Sequence, residues 1–195
     1  GSWAYTCSPN INIKTPDNIF IKTNIIGKYN INNIMAAIKI AQLMNISDKI
    51  IAIQLQSMKL NNNRSQIILT KHNYIILDAY NANPTSMLLS IENFINIKKL
   101  LKHTNIHFIL GDMYELGSDE IKYHQKIVDL LWKKNVKTCI LVGELFHQTK
   151  STKDYLKVNS IHDLQIHLRK NPIKNKSILI KGSRKIQLEK IIELL

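Results

Sequence analysis

What most constrains this chain is an alternation that begins after residue 63. Short apolar runs at 66–70, 74–77, 106–110, 138–142 and 177–180 are interleaved with stretches of helical spacing at 84–101, 119–134, 162–169 and 187–194. Strands alternating with helices predict βαβ units, right-handed crossovers and a Rossmann-like, mostly parallel sheet with helices on both faces. A sheet of that kind carries its functional loops at the carboxyl ends of its strands.

Upstream the pattern differs. Between 11 and 26, Ile11, Ile13, Ile19, Ile21 and Ile25 alternate around a Pro16-Asp17-Asn18 break, which predicts two short strands joined by a turn. Gly27 precedes a helical pattern over 30–44, marked by Ile31, Ile34, Ala37, Ile38 and Leu43. A second helix is expected from the N-cap Ser47 to Met58. Asn61-Asn62-Asn63 is polar and unpatterned, so a boundary is expected there, between a small α+β unit over 1–60 and the α/β unit over 61–195.

The net charge of +13, from 27 basic and 14 acidic residues, raises the alternative of a stand-alone basic module for nucleic acid. Only Arg64, Arg169 and Arg184 are arginines, against 24 lysines. Base readout favours the planar arginine fork, and no basic cluster interleaves with aromatics. Lys, Ile and Asn together make about two-fifths of the chain and share A- and T-rich codons, so base composition accounts for the charge. No nucleic-acid partner is expected. No apolar run reaches the roughly 20 residues that span a bilayer, and no signal peptide is visible. Cys7 and Cys139 form no disulfide framework; Cys139, within Thr138–Val142, reads as a buried free thiol, and a cytoplasmic setting fits.

Four segments follow strands or open helices. Asp78-Ala-Tyr-Asn-Ala-Asn-Pro84 is dense in short polar groups; its bland reading has Asn81 and Asn83 capping a helix that starts at Pro84. Gly111-Asp-Met-Tyr-Glu-Leu-Gly117 brackets an acidic loop with glycines, with Ser118 expected as the N-cap of the next helix and Glu115 with His124 as a weak acid/base or metal pair. Lys181-Gly-Ser-Arg184 sets a cation and a hydroxyl at a helix start, an arrangement suited to an anion. Asn30 and Asn33 share one face of a helix start and can hydrogen-bond a planar ring. No G-x-x-x-x-G-K-[ST] loop, G-x-G-x-x-G turn, H-E-x-x-H helix or G-x-S-x-G elbow is present, so a complete enzyme and a metal site are not expected within these residues.

In order, Gly27-x-Tyr-Asn-x-x-Asn-x-x-Ala-Ala37, the lone basic Arg64, Asp78–Pro84, Leu110-Gly-Asp-Met-x-Glu-Leu-Gly117 and Lys181–Arg184 resemble the Mur ligases of peptidoglycan synthesis. Asp-x-Tyr-Asn-Ala-Asn-Pro resembles the branch that joins D-alanyl-D-alanine to UDP-N-acetylmuramoyl-tripeptide. Tyr29 stands where many relatives have His. The resemblance implies an ATP-dependent amide ligase of cell-wall biogenesis, hence of cell shape and division. It implies that residues 1–60 are the tail of a central ATPase domain and 61–195 the carboxy-terminal ligase domain. An amino-terminal domain for the UDP-sugar peptide, and the rest of the central domain with its phosphate loop, metal ligands and carbamylated lysine, would lie upstream. ATP and Mg²⁺ would serve the whole enzyme, with neither held tightly by this portion, which would lack turnover alone. By the same resemblance Asn30 and Asn33 would meet adenine, Arg64 a phosphate and Asp78 the ribose, while Tyr80, Asn81, Asn83, Asp112, Met113, Lys181 and Ser183 would line the dipeptide end. Asn61–Asn63 would be the hinge.

Overall fold

The structure, a computed structural model, describes residues 2–7, 10–58, 63–151 and 153–195, without the side chain of Tyr29. Asn61 and Asn62 of the expected hinge lie outside the described residues. The chain divides into two compact units, Gly1–Asn61 and Asn62–Leu195.

In the first unit, β1 (Ala4–Cys7), β2 (Asn10–Lys14) and β3 (Phe20–Ile26) form an antiparallel sheet in the order β1-β2-β3. Asn18, at φ 65°, supplies the left-handed residue of the turn between β2 and β3. Alternation sends Ile11, Ile13, Ile21 and Ile25 to one face, where they pack with Ile31, Ile34 and Ile38 of α1 (Ile31–Leu43) and Ile51 of α2 (Asp48–Ser57). Ser47 occupies the N-cap of α2, yet its side chain makes no capping bond. Strand β1 escaped sequence reading because three of its four residues are exposed, leaving no alternation to see.

The second unit holds six strands: β4 (Gln66–Leu69), β5 (Tyr74–Asp78), β6 (Ile106–Gly111), β7 (Cys139–Val142), β8 (Leu156–Val158) and β9 (Ser177–Lys181). Their order is β4-β5-β9-β6-β7-β8, with only β4 antiparallel to its neighbour. The helices are α3 (Pro84–Ile97), α4 (Glu120–Lys133), α5 (Glu144–His147) and α6 (Ile161–Lys170). On one face, Ile75, Leu77, Ile109, Ile140, Ile178 and Ile180 pack against Leu164 and Leu168 of α6 and against Leu188 and Ile191. On the other, Phe108 meets Phe94 of α3 edge to face at 5.3 Å.

Three expectations are corrected. The last helix is not α-helical: Arg184–Ile186 and Leu188–Leu194 are 3₁₀ segments, separated by Gln187 at φ 60°, which interrupts any continuous α-helix. Ser118 does not cap α4, because Gly117–Asp119 forms a 3₁₀ turn and Asp119 takes the N-cap position without a side-chain bond. Strand β8 and helix α5 were missed, being three and four residues long and too short to show a period.

The placement of β9 decides the geometry of the site. This last strand inserts between β5 and β6, so its loop emerges between theirs. Segments about 100 residues apart in sequence thereby share one edge of the sheet.

Candidate functional site

Asp78 ends β5 directly opposite Lys181, the last residue of β9, and Lys181 is opposite Leu110 of β6. The Lys181 Nζ donates to Asp78 Oδ2 at 2.5 Å, with both side chains largely withdrawn from water. Asp78 also accepts the Ser65 N–H on Oδ1 and the Ser90 hydroxyl on Oδ2. A carboxylate offers about four acceptor positions, so one remains for a ligand hydroxyl. Lys181, by contrast, is nearly fully buried and among the described residues reaches only Asp78 and the Asn81 carbonyl. It neutralises Asp78 instead of standing free at a helix start, as the sequence suggested, and the 3₁₀ turn after it is too short for an appreciable dipole.

The loop after β5 is built by its own side chains. Asn81 Oδ1 accepts the Ala82 N–H, and Asn83 Oδ1 accepts the Ser86 N–H while Ser86 Oγ accepts the Asn83 N–H. Pro84 takes the first position of α3. The turn-and-cap role of both asparagines is therefore present, and both remain exposed. Ala79 and Ala82 are buried and anchor the loop, whereas Tyr80 is 41% exposed. Arg64 stacks on the Tyr80 ring at 3.7 Å from its centroid, and Arg184 lies 6.0 Å from the same centroid.

The loop after β6 is the most rigidly held. Asp112 is completely buried; its carboxylate accepts the N–H groups of Leu145 and Phe146, each at 2.9 Å. Burial raises the Asp112 pKa, and these two N–H groups and nearby His124 only partly oppose that. His124 Nε2 accepts the Met113 N–H at 2.9 Å, which leaves its Nδ1 as the donor to the Glu120 carbonyl at 2.7 Å. His124 thus pins the loop from inside α4 and does not pair with Glu115. Among the described residues no three His, Cys, Asp or Glu are grouped to hold a metal. Gly143 sits at φ 122°, and a Cβ there would fall 2.2 Å from the Asp112 carboxyl carbon, so only glycine admits this packing. Met113 is also fully buried. Asp112 and Met113 therefore shape the rim from beneath.

The loops after β6 and β9 are stitched to each other. The Ser183 N–H donates to the Asp112 carbonyl at 3.0 Å, and Ser183 Oγ accepts the Tyr114 N–H at 3.1 Å. Close approach is possible because Gly182 lacks a Cβ, which would lie 2.9 Å from Gly111 Cα. The expected residues Asp78, Tyr80, Asn81, Asn83, Asp112, Met113, Lys181 and Ser183 thus gather along one rim, with Arg64 joined to it through Tyr80. Sequence reading offered His124 a different partner, Glu115, and gave Arg184 and Gly143 no role of their own. The scarcity of arginine was the available signal for Arg184; nothing local marked Gly143 or the true partners of His124.

In the first unit, Asn30 Nδ2 donates to the Ile26 carbonyl at 2.9 Å and Asn33 Nδ2 to Asn30 Oδ1 at 3.4 Å. The pair shares one helix face, with Asn33 exposed.

A doubly wound sheet with polar loops converging at the carboxyl ends of β5, β9 and β6 defines a ligand-binding α/β domain. The family described as Mur ligase, glutamate ligase domain, matches residues 63–184, and the chain belongs to the Mur ligase family. The UDP-N-acetylmuramoyl-tripeptide--D-alanyl-D-alanine ligase of Buchnera aphidicola (subspecies Baizongia pistaciae) is 37% identical over 183 residues, which are 90% of this chain and 38% of that protein. Its counterpart in Bacillus subtilis is 32% identical over 193 residues, 93% of this chain and 40% of that protein. The chain thus spans about two-fifths of the length of these relatives. In fold it is similar to MurF from Acinetobacter baumannii, with a TM-score of 0.76 at 23% identity, covering 97% of this chain and 43% of that one. MurF from Thermotoga maritima, solved in complex with ADP, matches at 0.75 and 22%, covering 100% and 44%.

Proposed function

We propose that this chain is the portion of an ATP-dependent amide ligase that receives D-alanyl-D-alanine and helps hold the nucleotide, in the enzyme that extends UDP-N-acetylmuramoyl-tripeptide. The observation that carries this reading is the convergence of the loops at Asp78, Asp112 and Lys181 on one rim, in a chain whose similar relatives bear that name. Nothing in the geometry favours nucleic acid, and no helix of the described residues is long and apolar enough to cross a membrane.

In this reading the domain boundary separates the tail of the ATPase domain from the ligase domain. Asn33, backed by Asn30, addresses the adenine; Arg64 takes a phosphate; and the one uncommitted acceptor position of Asp78 takes a ribose hydroxyl. Tyr80, Asn81 and Asn83 contact the dipeptide directly. Asp112, Met113, Lys181 and Ser183 act at that end by fixing the loops. ATP would supply an activated acyl phosphate by transferring its γ-phosphoryl group to the tripeptide carboxylate, with Mg²⁺ neutralising charge. The dipeptide amine then forms the amide bond, inorganic phosphate leaves, and the amine surrenders a proton. This chain's residues orient the amine and exclude water. A cytoplasmic setting follows from soluble substrates.

The test is a fusion. Placed behind the upstream part of the Bacillus subtilis relative, the chain is expected to complete an enzyme that releases phosphate from ATP only when the UDP-linked tripeptide and D-alanyl-D-alanine are both supplied. The chain by itself is expected to release none. Turnover by the chain alone, or a fusion that prefers a single amino acid to the dipeptide, would refute the proposal.

A further inference from the structure

Two of the three arginines in a chain with 24 lysines address the same aromatic ring. The Arg64 guanidinium carbon lies 3.7 Å from the Tyr80 ring centroid, and Arg184, arriving from the loop after β9, lies at the outer limit of cation–π range. Among the described residues neither guanidinium has a carboxylate within ion-pair distance, and neither side chain donates a hydrogen bond. Asp78, the acid on the same rim, is already matched by Lys181. Each guanidinium carbon is close enough to the ring to put the two within about 10 Å of each other, roughly one Debye length in 0.1 M salt, so the two charges repel. Two fork-shaped donors gathered on an exposed platform without an acid are the arrangement that a planar or tetrahedral oxyanion satisfies, by bidentate bonds that lysine cannot reproduce.

We infer that Arg184 and Arg64, gathered at the Tyr80 ring, form a guanidinium clamp that binds an oxyanion of the ligand. The inference rests on the proposed function for the ligand's identity, not for the clamp. A dipeptide carboxylate and a nucleotide phosphate share the required chemistry. Lys181 and Ser183, the members of this loop that the sequence put forward, are turned inward, and the exposed cation is the residue after them. Tyr80 acts as a positioning residue that holds both guanidinium groups within cation–π reach of one ring.

The experiment follows the Arg64 and Arg184 side-chain Nε–H resonances of the 195-residue chain during titration with four probes: D-alanyl-D-alanine, its carboxy-terminal amide, ADP and adenosine, each to tens of millimolar. Inorganic phosphate serves as a fifth. Arg184→Lys and Arg184→Ala are expected to weaken the anionic probe that binds by about tenfold or more and to leave its uncharged partner unchanged. Circular dichroism should match the parent chain, because the Arg184 side chain is exposed and donates no hydrogen bond among the described residues. Loss confined to the dipeptide acid assigns the clamp to a carboxylate, and loss confined to ADP assigns it to a phosphate. An Arg184-dependent response to inorganic phosphate without binding of dipeptide or ADP keeps the clamp and overturns the functional reading. Dipeptide or ADP binding that is equal in parent and variants overturns the clamp and keeps the functional reading. No response of either arginine to any anionic probe also overturns the clamp.

Discussion

At the residue scale, His107 shows how burial writes a pH dependence into the fold. It lies in β6 with its Nε2 buried and without a hydrogen-bond partner among the described residues. Burial, with help from the charge of Lys176, lowers its pKa from 6.5 to about 4. Between those values the unfolded chain takes up a proton that the folded chain refuses. Its contribution is therefore fully present above about pH 6.5 and is lost as pH falls toward 4, an effect of about 3 kcal/mol. Asp112 runs the other way: its raised pKa makes the folded state the better proton acceptor, so its contribution declines as pH rises above 3.8. Urea midpoints measured at pH 4.5 and 7 should converge in His107→Phe, which removes the titrating group but keeps the ring volume. An unchanged pH slope in the variant would show that the proton uptake lies elsewhere.

At the scale of elements, the start of α3 was readable and the end of the chain was not. Asn83 and Pro84 are local devices: an amide that accepts an N–H three residues on, and a ring that fixes φ for the first turn. Their roles are set by neighbours in sequence, and the structure shows both. Asn83→Ala should lower stability by about 1 kcal/mol, seen as an earlier thermal midpoint of the second unit, while Asn83→Asp should retain the cap. The segment after β9 carries apolar residues at near-helical spacing yet folds as 3₁₀ turns, because Leu188, Ile191 and Leu195 must reach the core over α6 and Gln187 turns left-handed to aim them. That demand comes from α6 and the sheet face it covers, distant in sequence, and leaves no local mark.

At the scale of the whole molecule, each unit has its own core. The first rests on a core cluster of eight buried isoleucines among the described residues and leaves Ile40, Leu43, Met44, Ile50 and Ile53 more than half exposed. The second buries strand residues on both faces of its sheet. The smaller unit therefore has less apolar burial to set against chain entropy. Calorimetry should resolve two transitions, the lower from the first unit, and a chain of residues 62–195 should retain the upper one. A single transition that disappears in the shorter chain would show the cores to be interdependent.

By itself the sequence determined strands β2 to β7 and β9, helices α1 to α4 and α6, and that polar turns follow the strands, since period and turn chemistry are local properties. It also carried enough motif order to resemble its family. Only the tertiary structure decided which turns meet. Inserting β9 between β5 and β6 set Lys181 against Asp78, turned the expected anion-binding lysine inward, and left Arg184 exposed beside Tyr80. Strand order is chosen by the packing of both sheet faces at once, and no single stretch of chain contains that information.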